Sequence, residues 1–453
     1  MKLRSFLSCL AWLGCAFVVL NAQLAAAPAD VGATVRLRVD VDREVMPAGR
    51  TDKAIIKVAL DGLRLPRRDA RPPINLALVI DRSGSMSGEK IENARQAALE
   101  AVRRLGADDI VALIAYDTQV ETIVPARRVG DGRLLERAIR SLEASGNTAL
   151  YGGVTCGATE VRRHLEDEGR VSRIILLSDG LANVGPSSPQ QLGRLGASLM
   201  SEGISVTTVG LGLGFNEDLM TRLAQRSDGN TYFVENSEDL PRIFAAELGD
   251  VLSVVARRVV IEIEFPKHVR PVGFIGREGT IRGQRAELTL NQIYGGQEKF
   301  ALVEVEVAPT AAGEEQELAR ASVRYDDPVN RRQESLSAHR SVRFSARDTD
   351  VIGSANHKVQ ADYAANVLAV AKDEVVALVD ANQRKEAGSL LARRAAELDQ
   401  LAKTYRNTAV SSLAAPAAAE ARRVDSDGLD AAARKTYRAD NAQIRAQQNA
   451  GRQ

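Results

Sequence analysis

Apolar and charged residues alternate with a two-residue period in two separate parts of the chain. Apolar residues at positions 35, 37, 39 and 41 alternate with charged ones, and the same period returns after residue 255. This period is typical of strands with one buried face. We therefore predict β-structure in residues 30–64 and 255–346, and the short, regularly spaced strands of the second segment favour a β-sandwich.

The pattern between these two segments is different. In residues 74–254, apolar runs such as Ile74–Ile80 and Ile174–Leu177 alternate with stretches of helical period. Strands that are apolar at nearly every position are typical of a sheet covered on both faces. The alternation of strands and helices predicts a doubly wound, Rossmann-like α/β domain. The Pro-rich, basic stretch 65–73 is predicted to be a linker.

The strands before the α/β domain are too few to form a stable sheet alone. We therefore expect residues 30–64 to pair with strands from residues 255–346, so that the α/β domain is inserted into the sandwich. Residues 356–407 have two apolar faces at helical spacing, which predicts a helical hairpin. Residues 408–453 contain few large apolar side chains, and we expect a tail that is weakly ordered or transiently helical.

The first 29 residues have the order of a secretory signal peptide. Lys2 and Arg4 precede an apolar run that ends at Leu20, and small residues follow. The run is shorter than the about 20 residues that a membrane span needs. We expect cleavage after Ala26 or Ala29, export to the periplasm or the medium, and no membrane span in the mature chain.

The net charge argues against nucleic acid and anionic membranes as partners. The 453 residues carry a formal net charge of +1, which provides no field to attract either of them.

Of the three cysteines, only Cys156 lies beyond the predicted signal peptide, so an internal disulfide is not expected. The mature fold must therefore depend on its apolar core.

Candidate chemistry is concentrated at the ends of the predicted strands. Asp81-x-Ser83-x-Ser85 follows the first strand of the α/β segment, and Asp179 ends another apolar strand. Thr148 lies in a Gly-containing loop just before a helix. Carboxylate and hydroxyl oxygens suit Mg²⁺ or Mn²⁺, and α/β sheets bind ligands at the carboxyl ends of their strands. We therefore expect the two carboxylates to lie at the ends of neighbouring strands with Thr148 close to both, although Asp81-x-Ser83-x-Ser85 alone is a weak indication of a metal site.

This set of residues resembles the metal-ion-dependent adhesion site of von Willebrand factor type A domains, and the likeness covers residues 74–254. The resemblance implies that Ser83, Ser85 and Thr148 contact Mg²⁺ directly, and that Asp81 and Asp179 act directly or through water. It also implies an open coordination position that is filled by an Asp or Glu of a partner protein. The wider chain looks like exported bacterial proteins that carry such a domain.

Other chemistries are less well supported by the sequence. Gly210-x-Gly212-x-Gly214 has the wrong spacing for a dinucleotide loop, and we interpret it as a tight turn. Ser87-x-x-Lys90 resembles a hydrolase motif but lacks its Lys-Thr-Gly companion. We therefore expect no enzyme. A non-enzymatic, Mg²⁺-dependent binding protein is the leading hypothesis. An envelope assembly factor that acts through its C-terminal helices, with a structural metal, is the alternative.

Overall fold

The computed structural model describes residues 33–64, 71–166 and 169–448, in which an α/β domain is inserted into a β-sandwich and followed by a helical layer. The predicted signal peptide and most of the predicted linker lie outside the described residues. In this part of the chain, no helix is both long and apolar enough to cross a membrane.

In the described residues, the α/β domain contains six strands and six α-helices. The strands are β4 (Ile74–Asp81), β5 (Ile110–Tyr116), β6 (Val120–Arg128), β7 (Val171–Ser178), β8 (Ile204–Leu211) and β9 (Thr231–Val234). The helices are α1 (Glu89–Arg104), α2 (Arg133–Arg140), α3 (Leu150–Arg162), α4 (Pro189–Ser201), α5 (Glu217–Arg226) and α6 (Leu240–Val251). The sheet order is β6-β5-β4-β7-β8-β9, and all strands except β6 are parallel.

Both faces of this sheet are buried, as the continuous apolar strands predict. Leu76 and Leu78 of β4 face a core shared with α1, α2 and α6. Ala77 and Val79 face a second core on the other side, shared with α3, α4 and α5. The chain leaves β4 towards β5 and later returns to its other side as β7. The carboxyl end of β4 is therefore the switch point of the sheet, where such folds place their ligands.

The β-sandwich is built from both flanking segments. One sheet contains β1 (Val35–Val41), β3 (Asp52–Gly62), β14 (Glu298–Val307) and β11 (Val269–Ile275), in that order. The other contains β12 (Thr280–Arg282), β13 (Arg285–Tyr294), β10 (Val254–Glu264), β15 (Glu315–Asp327), β16 (Arg332–Ser345) and β2 (Val45–Pro47). Because β3 pairs with β14 and β2 with β16, the predicted insertion of the α/β domain is confirmed.

Helices form the rest of the described chain: α7 (Asp348–Gly353), α8 (His357–Asp380), α9 (Arg384–Tyr405), α10 (Thr408–Asp427) and α11 (Ala431–Ala446). The expectation of a weakly ordered tail after residue 408 is wrong, because α10 and α11 occupy most of it. Helix α10 buries a stripe of small side chains in the core of the helical layer, namely Val410, Ala414, Ala417, Ala421 and Val424. Small residues at helical spacing allow close packing without large apolar groups.

Helix α11 packs back onto the α/β domain. Arg434 contacts both Glu217 and Asp218 in the first turn of α5. Lys435 is almost completely buried and pairs with Glu217, and its ammonium also lies 4.3 Å from the centre of the Phe215 ring. The last described helix therefore holds the start of α5 and the loop before it.

Candidate metal centre

Asp81 is the last residue of β4 and lies at the switch point of the sheet. Its carboxylate is completely buried, where Oδ1 accepts a hydrogen bond from the Ser83 backbone N–H (2.8 Å) and Oδ2 accepts one from Ser178 Oγ (2.7 Å). Burial raises the pKa of Asp81 to about 6, although the hydrogen bonds from Ser178 and Ser83 oppose this shift. The carboxylate is thus held in one orientation, with its charge poorly solvated.

Ser83 and Ser85 lie side by side in the turn that follows β4. A 3₁₀ turn at Gly84–Met86 brings their Oγ atoms within 3.1 Å of each other. Ser85 Oγ also donates to Oδ1 of Asp179 at 2.6 Å. Ser83 is buried, whereas Ser85 is exposed to solvent. The pair therefore connects the buried carboxylates to the surface of the protein.

Asp179 and Thr148 come from two further loops. Asp179 directly follows β7, the neighbour of β4, and its side chain is buried. Thr148 precedes α3, and its backbone N–H donates to Oδ1 of Asn183 at 2.9 Å. The carbonyl of Thr148 accepts from the Asn183 backbone N–H at 3.2 Å. These bonds fix the Thr148 loop against the loop that carries Asp179.

Gly180 shows how closely the oxygen donors converge. A Cβ atom at this position would lie 3.0 Å from Thr148 Oγ1, 3.4 Å from Ser85 Oγ and 3.8 Å from Ser83 Oγ. All five residues predicted from the sequence are thus brought together, since Ser85 also contacts Asp179 and both carboxylates end neighbouring strands. Three hydroxyls and two carboxylates are the hard oxygen donors that Mg²⁺ or Mn²⁺ requires, so the donor set fits such an ion.

Lys90 supplies a positive charge at this site that the sequence reasoning missed. It lies in the first turn of α1, and its Nζ is 2.5 Å from Oδ2 of Asp179. The buried Asp179 carboxylate is therefore balanced by an ammonium group whose side chain is 38% exposed. The Ser87-x-x-Lys90 spacing drew attention to this lysine, but for a hydrolase motif rather than for contact with Asp179.

Residues 212–215, in the loop after β8, form one wall of the site. Gly214 approaches so closely that a Cβ atom there would lie 2.7 Å from the carbonyl oxygen of Asp179. The predicted tight turn is only partly correct, because Gly210 still lies in β8 and the chain bends only from Gly212, which has a φ of 68°, to Phe215. The next residue, Phe215, accepts a hydrogen bond at its carbonyl from Lys435 Nζ of α11, at 2.6 Å. Helix α11 therefore supports the loop that borders Asp179.

Tyr116, at the end of β5, lies beneath the site. Its hydroxyl donates to the carbonyl of Leu177 at 2.9 Å. Burial, and secondarily the charge of Asp81, raises the pKa of Tyr116 well above its ordinary value. Its hydroxyl therefore remains a neutral donor.

The candidate site combines two carboxylates with three hydroxyls. Within residues 33–64, 71–166 and 169–448, no cluster of three or more His, Cys, Asp or Glu side chains could hold a metal ion, so these residues contain no site of that other type.

Comparison with known proteins identifies the class of the α/β domain. Residues 75–246 match the sequence model of the von Willebrand factor type A domain. The predicted Rossmann-like α/β fold, with additional sheets and C-terminal helices, is confirmed. Residues 75–246 therefore form a domain of the von Willebrand factor type A family.

Among curated proteins, the chain is similar to the uncharacterized protein sll0103 of Synechocystis sp. The two are 28% identical over 317 residues, which cover 66% of this chain and 74% of the relative. Protein YfbK of Escherichia coli is 28% identical over 46% of this chain and 36% of its own length. Inter-alpha-trypsin inhibitor heavy chain H3 of Mesocricetus auratus is 26% identical over 48% of this chain. The match spans only 26% of that heavy chain.

Two solved structures share most of the fold. A von Willebrand factor type A protein from Catenulispora acidiphila superimposes with a TM-score of 0.64 at 18% identity, over 83% of this chain and 88% of the other. The ArnB paralog VWA2 from Sulfolobus acidocaldarius gives a TM-score of 0.58 at 16% identity, over 91% and 98%. At these identities the comparison supports the architecture alone.

Proposed function

We propose that this protein is an exported, non-enzymatic binding protein of adhesion or scaffold type. Asp81, Ser83, Ser85, Thr148 and Asp179 hold Mg²⁺, and an Asp or Glu side chain of a partner protein completes the coordination. The observation that supports this most strongly is the convergence of three hydroxyls on Gly180, with Ser85 bonded to the buried Asp179 carboxylate and open to solvent.

The donor chemistry suits capture of an anion. Two carboxylates balance the charge of a divalent cation, whereas the hydroxyls of Ser83, Ser85 and Thr148 are neutral. Neutral donors leave the ion attractive to an additional carboxylate, and Mg²⁺ readily keeps exchangeable positions. Mn²⁺ has the same preference for oxygen and is expected to substitute.

The groups around the site support binding rather than catalysis. Tyr116 is held as a neutral donor on Leu177. Lys90 is paired with Asp179, the hydroxyls of Ser83 and Ser85 bond to each other, and Ser85 also donates to Asp179. A hydrolytic mechanism needs a general base or an activated nucleophile beside the reacting atoms. Neither role fits these engaged side chains.

Crosslinking pull-down from envelope extract tests the proposal. The full-length protein should capture a partner in Mg²⁺ and release it in EDTA. Asp81→Ala and Ser85→Ala should abolish capture, and Ser85 is the safer variant because its side chain is exposed. Asp131→Ala is the matched control, since Asp131 is an exposed carboxylate just before α2. Capture that survives both EDTA and Ser85→Ala would refute metal-mediated binding.

Export is tested separately by the mass of the mature protein. The charged, apolar and small-residue order of residues 1–29 supports removal of a signal peptide. Intact-mass spectrometry of the envelope fraction should give a chain that begins after Ala26 or Ala29. An unprocessed chain recovered only from the cytoplasm would contradict this part of the proposal.

The second candidate is an envelope assembly factor that acts through its C-terminal helices. It is favoured by the separate core of α8–α11 and by Val370 and Ile444, two large side chains exposed on these helices. In this case the metal would mainly stabilise the α/β domain. Partner capture would then survive EDTA and Ser85→Ala, but would be lost when Val370 and Ile444 are both replaced by Ser in the full chain.

A further inference from the structure

Two exposed leucines border the candidate metal site. Leu181 is 60% exposed and Leu213 is 52% exposed, and they are among the few large apolar side chains exposed in the described ranges. Leu181 follows Gly180, on which the three hydroxyls converge, and Leu213 precedes Gly214, which lies against the carbonyl of Asp179. Adjacent Cα atoms are about 3.8 Å apart, so both leucines lie within about one residue of the site.

The side of the site towards β5 is polar, whereas Leu181 and Leu213 follow β7 and β8 on the other side of β4. Arg82, between two of the proposed metal ligands, pairs with Asp117 at 2.9 Å and with Glu121 at 3.1 Å. The exposed residue Asn147 precedes Thr148 on a neighbouring loop. The surface around the cation is therefore asymmetric, with apolar side chains beside Asp179 and charged ones beside Arg82.

The leucines have no evident role in the stability of the fold. A single exposed leucine is common, but two on adjacent loops at a ligand site point to recognition. Two residues after Leu213, Phe215 is buried, and its ring lies 6.0 Å from that of Phe233. The loop that carries Leu213 is therefore anchored in the core by Phe215.

We propose that Leu181 and Leu213 form an apolar lip that selects a partner segment in which the metal-binding Asp or Glu has an aliphatic or aromatic residue within two positions. This inference rests on the proposed function of the metal site and adds the neighbouring residue to it. The cation attracts the carboxylate, and the lip buries the apolar side chain next to it. The charged side near Arg82 would disfavour the reverse orientation of the segment.

Selection from a displayed library of random 12-residue peptides tests the lip. The full-length protein is the bait, binding is carried out in Mg²⁺, and elution is with EDTA. Selected peptides should contain an acidic residue with an apolar neighbour. The double variant with Leu181→Ser and Leu213→Ser should bind a selected peptide at least about tenfold more weakly, at unchanged Mg²⁺ affinity. Leu134→Ser is the matched control, because Leu134 is 47% exposed in α2.

Changing the peptide as well as the protein completes a double-mutant cycle. Replacing its apolar neighbour by Ser should weaken binding to the native protein but not to the double leucine variant. Acidic peptides with no apolar preference, or equal binding by the double variant, would overturn the lip and leave the proposed function standing. If EDTA elutes no acidic peptides at all, the proposed function fails and this inference fails with it.

Discussion

Lys435→Met should weaken metal binding even though Lys435 lies on α11, outside the α/β domain. Its buried ammonium donates to the Phe215 carbonyl at 2.6 Å and pairs with Glu217. Phe215 follows Gly214, which touches the backbone of Asp179. Loss of the ammonium therefore frees the loop that forms one wall of the metal site.

The expected loss of Mg²⁺ affinity is estimated from the burial of the ion pair between Lys435 and Glu217. Removing one partner of a buried ion pair costs about 3–5 kcal/mol. Glu217 keeps Arg434 as a second partner, so the low end of that range is expected for the docking of α11. Coupling between connected sites is typically about 1 kcal/mol or more, which corresponds to about a fivefold change in affinity. We therefore expect the Mg²⁺ affinity of Lys435→Met to fall about fivefold.

Isothermal titration with Mg²⁺ measures the effect, and limited proteolysis reports whether α11 has been released. Lys403→Met is the matched control, because Lys403 on α9 is 71% exposed and pairs only with its helix neighbour Asp399 among the ion pairs described. Release of α11 with unchanged Mg²⁺ affinity would refute the coupling. So would an equal loss of affinity in the control.

Two further variants test the roles of charged side chains, one at the metal site and one in the core. Lys90→Met should bind Mg²⁺ several-fold more tightly and be less stable without metal, because Lys90 balances the charge of Asp179 and competes with the cation. Titration with Mg²⁺ and thermal unfolding measure these two effects, and an unchanged affinity would contradict the prediction. Charges from Lys299 and Arg277 overcome the effect of burial and lower the pKa of Asp228 to about 2. This carboxylate should contribute about 2 kcal/mol of stability above about pH 4, lost as the pH falls to 2. In urea unfolding, Asp228→Asn should be less stable than the native protein at neutral pH, and its free energy of unfolding should change less between pH 2 and pH 4. A pH dependence parallel to that of the native protein would disprove this.

Much of the architecture could be predicted because it depends on local periodicity. Continuous apolar runs identified strands covered on both faces, and alternation identified the sandwich. The insertion followed from the physical requirement that two strands need partners, which β3 finds in β14. The positions of the five site residues were predictable because each lies at the carboxyl end of a strand or in a loop at that same edge of the sheet.

The missed features depend on contacts between distant segments. Lys435 and Glu217 are 218 residues apart in the chain, and no local pattern relates them. The tail was misjudged because its core is made of alanines such as Ala414 and Ala417, which a search for large apolar side chains overlooks. The role of Lys90 was missed for the same reason, since only the folded structure shows that its ammonium group contacts Asp179.

Direct titration with Mg²⁺ of the native protein and a matched pair of threonine variants tests the central claim. Thr148 lies in the convergent donor set, whereas Thr155 is exposed on α3 and bonds only within its own helix, at 2.9 Å to the Tyr151 carbonyl. The native protein and Thr155→Ala should bind one ion per chain with equal affinity, and Thr148→Ala should bind at least about tenfold more weakly at unchanged stability. Absence of saturable binding to the native protein, or native affinity in Thr148→Ala, would contradict the assignment of this site.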